Sequence, residues 1–255
     1  MHPKTQIMVA AFLATVACSD STGTGTGVVP PQPQVVSATG DITAVVDSFR
    51  TLLGPSNGVV AGEQPAGRRE INWDGAGAIP FNNTNAFPAD FFNTTVKAGA
   101  VFTTAGTGFR NDSTSFKDIN PDYAAQFTFF SPSQIFAPVG SNEFDVVFQV
   151  AGQPTPAVVT GFGVVFSDVD LANATTIELF AQDCSSLGTV AAPARSDARG
   201  LSFVGARFDQ AHIARVRITL GTGALGAGVA DISAGGTLDL VVVDNLVYGE
   251  PKSAF

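Results

Sequence analysis

Charge is scarce in this chain. Only 14% of its 255 residues are Asp, Glu, Lys or Arg, and 22 acidic side chains outnumber 13 basic ones, for a formal net charge of −9. A nucleic-acid surface needs clustered cations on the phosphates, so this balance argues against such a partner and against charge-driven adhesion to an anionic membrane. Cysteine and histidine are scarcer still, with two of each. No CxxC pair and no Cys/His cluster is present, which removes the usual zinc sites. His2 lies in the N-terminal segment and His212 is the only other histidine, so multi-histidine metal sites are excluded and a Ser-His-Asp triad is improbable. Cys184, in QDCSSLG, reads as a hairpin tip and not as a nucleophile. No long hydrophobic run exists either. The stretch Ile7 to Val16 is far shorter than the ~20 apolar residues that span a bilayer core.

What is present points to a β-rich exported domain. Hydrophobic residues make up 45%, including 21 Phe, which suffices for a sizeable core. Glycine is abundant, at 27 residues, and Thr, Ser and Asn take the surface positions that charge would otherwise fill. The length suits one large domain after an N-terminal leader.

The N-terminus reads as an address. His2 and Lys4 give a short positive region, and Ile7 to Val16 fits the apolar core of a secretory signal. The following LATVAC, Leu13 to Cys18, resembles the lipobox of bacterial lipoproteins. Ala17 matches that pattern, whereas Thr15 stands where Leu is expected. The resemblance implies cleavage before Cys18, a diacylglycerol on its sulfur, and attachment to the cell envelope, at an outer membrane or the cell surface. The alternative is an ordinary cleaved signal with an incidental cysteine. Residues 18–37 then form a Ser/Thr/Gly-rich and Pro-rich spacer that buries too little apolar surface to fold.

Hydrophobic periodicity sets the fold class. Asp41 to Leu53 predicts one helix, capped by Asp41, with Ile42, Val45, Val46, Phe49 and Leu53 on one stripe and Gly54-Pro55 as its stop. Beyond it the period becomes two. EFDVVFQV places Phe144, Val146, Phe148 and Val150 on one face; ARVRITL buries Val216 and Ile218; TTIELFA buries Ile177 and Leu179. LDLVVVDNLVY reads as a longer, more buried strand. Further strands are expected at 100–104, 126–131, 158–166, 187–191 and 201–208, and an ordered loop at 79–99. Short strands between Gly/Asn/Pro/Ser clusters predict an all-β sandwich spanning 38–255, with one N-terminal helix.

GRREINWDG, Gly67 to Gly75, together with GFGVVFSDVDLANATTIELF, LSFVGARFDQAHIARVRITLG and VVVDNLVYGEP, resembles a group of secreted bacterial proteins akin to PEP-CTERM-type surface proteins. The resemblance spans about Asp41 to Pro251. It implies a jelly-roll-like sandwich and a surface location, and no established activity. The chain departs from the PEP-CTERM pattern after Pro251, where no apolar span or basic tail follows.

Three sets of residues could carry chemistry. Asp168, Asp170 and Asn173, in SDVDLAN, place oxygen ligands at i, i+2 and i+5, which suits a structural calcium ion. The alternative is that they cap a strand end and bond turn amides. Asp244 interrupts an apolar strand, so it either completes such a site or accepts hydrogen bonds from a neighbouring loop. Trp73, flanked by Asn72 and Asp74, could form a platform that stacks on a glycan, or could be a packed core aromatic. Arg68, Arg69 and Glu70 read as surface or interdomain salt bridges. For catalysis, Asp74, Glu143, Asp168 and Asp170 are carboxylates by type only. The leading expectation is therefore a non-enzymatic envelope module that binds an extracellular ligand such as glycan. A carboxylate-based glycan hydrolase or lyase, and a purely structural envelope protein, stand as alternatives.

Overall fold

The computed structural model describes residues 32–74, 82–197 and 199–254. The signal segment, Cys18 and most of the spacer lie outside the described residues. In chain order the strands are β1 (Gln34–Thr39), β2 (Arg68–Ile71), β3 (Ala100–Thr103), β4 (Gly108–Asp112), β5 (Ile135–Val139), β6 (Glu143–Phe148), β7 (Ala157–Val158), β8 (Gly161–Ser167), β9 (Thr176–Phe180), β10 (Ser186–Ala191), β11 (Leu201–Arg207), β12 (Arg215–Thr219), β13 (Val242–Gly249) and β14 (Lys252–Ser253). The helices are α1 (Thr43–Leu53) and the single turns α2 (Phe91–Thr94) and α3 (Tyr123–Gln126).

The chain is an all-β sandwich, as its periodicity predicts. The larger sheet runs β1-β11-β8-β13-β5-β4, with β2 lying along β13 beside β5. The smaller runs β10-β9-β12-β6-β3. Pairing within both is antiparallel. Between them lies the main core, to which β8 contributes Phe162, Val164 and Phe166, β6 Phe144, Val146 and Phe148, and β12 Val216 and Ile218.

The two sheets differ on their outer sides. In β6 and β12 the alternate residues are partly exposed, whereas every residue of β8 and β13 is buried. A second layer covers the larger sheet. Over one half, α1 lays Ile42, Val46, Phe49 and Leu53 against Val165, Phe203 and Val247. Over the other, Phe116, Tyr123 and Phe127 pack on Ile135, Ala137, Leu240 and Val242. Covering on both sides is why β8 and β13 read as continuous apolar runs.

α1 starts slightly later than expected. Ile42 occupies the N-cap position, and the Asp41 carboxylate accepts the Thr43 N–H at 3.2 Å, so the predicted capping residue acts from one position further out. Four expectations are corrected. Residues 34–37, expected in the spacer, belong to β1, which pairs with β11 over six residues; past Pro33, an available sheet edge gives this Val-containing stretch ladder hydrogen bonds that a spacer lacks. Segment 126–131 is no strand: after α3 its amides bond side chains, with Thr128 N–H donating to Ser167 and Phe130 and Ser131 N–H to Asp244. The strand expected at 158–166 divides into β7 and β8. The loop expected at 79–99 contains α2, while its first residues lie outside the described ones.

Candidate functional site

The motif RREINWD resolves residue by residue into packing. Arg68 donates to the carbonyl of Gly54, just past the end of α1. Arg69 is fully buried and corrects the surface salt-bridge expectation. Its Nε and Nη2 donate to Glu250 at 2.7 and 2.6 Å, while Nη1 donates to the carbonyls of Val60 and Lys97, each at 2.7 Å. Glu250 also accepts from Asn57 Nδ2 at 2.7 Å and from the Gln64 N–H at 3.1 Å. This bidentate pair clamps the 57–64 loop to the strand pair β2–β13. Glu70 pairs with Arg50 of α1 and accepts from Asn245.

Trp73 is a core residue, and the glycan-platform expectation is corrected. The ring has no solvent exposure. It stacks on Phe136 at 4.0 Å and 8°, with Phe92 edge-on at 5.4 Å, and its Nε1–H donates to the Asp244 carbonyl. A ring closed on both sides by phenyl groups has no face for a sugar. Asn72 remains exposed, and Asp74 lies 3.5 Å from the Ser133 hydroxyl. Burial pushes the Asp74 carboxyl above its ordinary range, against hydrogen bonds from Ser131, Gln134 and Ser133.

Asp244 takes the hydrogen-bonded alternative. Register between β13 and β8 slips between Val243 and Leu246, so Asp244 and Asn245 form a bulge that turns the carboxylate toward the 126–131 segment. Asp244 Oδ2 accepts from the Phe130 and Ser131 N–H groups at 2.6 and 3.1 Å, and the Ser131 hydroxyl lies 2.9 Å from Oδ1. Burial outweighs these donors and holds the carboxyl up at about 7. Asp244 is thus separate from the metal-type cluster of acidic groups, while Asn173 turns through φ 64° on the exposed part of its loop.

That cluster joins Asp168 and Asp170 to a residue that sequence spacing did not indicate. Carboxylate oxygens of Asp168, Asp170 and Asp231 all lie within 4.8 Å of one another. Asp168 immediately follows β8, with its N–H donating to the Gly200 carbonyl and its backbone at φ 72°. Asp231 precedes a 3-10 turn, Ile232–Ala234, and accepts from the Ser233 N–H at 2.7 Å and the Leu240 N–H at 2.8 Å. Asp239 braces the other side, taking the Asp170 and Leu171 N–H groups at 3.2 and 3.0 Å. Asp168 has no solvent exposure, and neither of its carboxylate oxygens has a hydrogen-bond partner; the two oxygens of Asp170 are likewise buried and unpartnered.

The electrostatics follow. Two ionised carboxylates at about this spacing repel by about 3–4 kcal/mol at an effective dielectric of ~20. Burial first, then the charges of Asp231 and Asp170, push Asp168 up to about 8. Burial and Asp231 push Asp170 up to about 7. The cluster therefore holds either protons or a cation near neutral pH. Among the described residues the remaining candidates belong to no such grouping. Glu143 is exposed on β6 and accepts from Thr219 at 3.2 Å. His212 lies edge-on to Phe208 at 6.1 Å and lines a surface depression with Asp183 and Ser253. Cys184 occupies the turn between β9 and β10, with φ 68°. No described helix is long and apolar enough to cross a membrane.

No family model, curated protein or solved structure matches this chain.

Proposed function

We propose that this chain is an exported, lipid-tethered module of the cell envelope that works without catalysis and binds an extracellular glycan on the outer face of its smaller sheet. The observation that carries the reading is the asymmetry of the sandwich. α1 and the Phe116–Phe127 layer cover the larger sheet, while β6 and β12 keep alternate residues partly exposed. On that face Asp145 accepts from Arg215 and Arg217 at 2.7 and 2.9 Å, and the Arg215 guanidinium lies 3.8 Å over the Phe180 ring. Charged donors and acceptors held in place by one another suit hydroxyl recognition with little ordering cost. The carboxylate-enzyme reading loses support, because Asp168 is closed off from solvent.

Two measurements on the full chain test the proposal. Mass spectrometry of the N-terminal peptide from envelope fractions is expected to find a diacylglyceryl group on Cys18; a Cys18–Cys184 disulfide would overturn the tether. Glycan-array binding is expected to be lost in Arg217→Ala. A second reading, a structural envelope protein with no ligand, is favoured by the complete enclosure of Trp73, and an array with no binding at all would leave that reading in place of the first.

A further inference from the structure

We propose that Asp168, Asp170 and Asp231 form a divalent-cation site of the calcium class that pins the loop after β8 to the segment before β13. The site is independent of glycan binding and lies within the larger sheet's loop layer. Three carboxylates converge within 4.8 Å, and hard oxygen donors without nitrogen or sulfur select hard cations.

The observation that points to a ligand is Asp168. A buried carboxylate is ordinarily met by several donors or by an opposite charge. Asp244 shows this normal case in the same molecule, with two amides and a hydroxyl. Asp168 has neither: both its oxygens are buried without a hydrogen-bond partner, one of them lies within 4.8 Å of carboxylate oxygens of Asp170 and Asp231, and the neighbouring Arg199 N–H is spent on the Gln126 carbonyl at 2.7 Å. Among the described residues no lysine or arginine forms a salt bridge with any of the three. The nearby arginines are engaged elsewhere, Arg195 with Asp197 and Arg199 with the Ala124 carbonyl.

The surroundings hold the three carboxylates in place. Asp239 fixes the Asp170–Leu171 amides, and Ser233 and Leu240 fix Asp231. The buried oxygens without a hydrogen-bond partner are those of Asp168 and Asp170. Calcium takes 6–8 oxygen ligands in flexible geometry and suits several protein carboxylates completed by carbonyls or water, whereas magnesium prefers to keep its own waters.

The test is thermal unfolding of the full chain, stripped with chelator and then titrated with calcium or magnesium chloride. Calcium at about a hundredfold above its Kd is expected to raise the Tm by about 5–10 °C, and magnesium by much less. Asp168→Asn and, separately, Asp231→Asn are expected to abolish the calcium shift. Asp168→Asn should also melt at or above wild type in chelator, because it takes one carboxyl group out of the crowded set of three, and below wild type in calcium. That crossing distinguishes a cation ligand from a residue needed merely for folding; Asp170→Asn, at a half-buried position, serves where Asp168→Asn fails to fold. An unchanged wild-type Tm on adding calcium overturns the proposal. So does a calcium shift that survives in these variants, and an equal shift with magnesium overturns the assignment to calcium.

Discussion

A methyl group added at Gly205 is expected to destabilise the protein by about 1–2 kcal/mol, and the same methyl is expected to stabilise it once Phe49 is gone. Gly205 of β11 and Gly163 of β8 stand opposite each other, and together they form a slot in the outer face of the larger sheet. The Phe49 ring of α1 lies in that slot. A Cβ at Gly205 would come within 2.7 and 2.8 Å of Phe49 Cε2 and Cζ, and one at Gly163 within 2.7 Å of Cε1. Neither glycine has a left-handed φ, so backbone strain plays no part. Overpacking of this kind costs about 1–3 kcal/mol, offset by about 0.4–1 kcal/mol from a less flexible unfolded chain. Phe49→Ala alone should cost about 3–5 kcal/mol, since the ring is fully buried. In that background the Gly205 methyl meets a cavity, and the clash becomes a gain of about 0.5–1 kcal/mol. Urea unfolding of the four proteins, followed by tryptophan fluorescence, gives the coupling directly. A cycle that closes within about 0.5 kcal/mol would refute the slot.

Three further outcomes rest on buried polar groups and on Trp73. The folded-state carboxyl of Asp244 sits at about 7, above its unfolded value of ~3.9. The native state therefore keeps a proton that the unfolded chain loses, and its contribution falls as pH rises from about 4 to about 7, then stays level. Asp244→Asn should match wild type near pH 4 and exceed its Tm at pH 8, whereas Asp244→Ala, which strands two amides, should lose about 2–4 kcal/mol at either pH; a wild type that gains on Asp244→Asn with rising pH contradicts the assignment. Glu250→Gln leaves the Arg69 charge buried without its counter-ion and should cost about 3–5 kcal/mol by chemical denaturation, more than the double variant Arg69→Met/Glu250→Leu; the reverse order would count against the clamp. The emission of Trp73, the sole tryptophan, should be blue-shifted, inaccessible to acrylamide and unmoved by any glycan that binds; a glycan-dependent shift would return the ring to the binding site.

The legible part of the fold was the part with one solvated face. β6, β9 and β12 alternate because their outer residues meet water, so period two shows in EFDVVF, TIELF and RVRIT. α1 was legible for the same reason at period 3.6. The larger sheet lacks that contrast. β8 and β13 could be seen only as apolar runs, and β5, IFAPV, carries a proline near its end that hid it as a strand. β1 was hidden by its neighbours in sequence: the spacer's composition runs into it, and only the distant edge of β11 makes it a strand. Segment 126–131 erred in the opposite direction. Its phenylalanines look like strand residues, but its amides are taken by side chains from β8 and β13.

The candidate site divides along the same line of locality. Asp168 and Asp170 sit two residues apart in a turn, and their spacing alone marks a concentration of oxygen ligands. Asp231 is brought to them from the loop before β13, and Asp239 bonds the Asp170 amide from 69 positions away. No spacing rule reaches that far; the sandwich supplies it, because β13 lies beside β8 and so sets the loop that leads into one strand against the loop that leaves the other. Trp73 was ambiguous for a related reason. A single tryptophan between Asn and Asp has the composition of a sugar platform, and only the phenyl rings contributed by α2, β3 and β5 enclose it. The same adjacency of β8 and β13 that buries Asp244 among donors leaves the two oxygens of Asp168 buried without a hydrogen-bond partner. One carboxylate is thereby a structural acceptor, and the other is the group on which the proposed cation site rests.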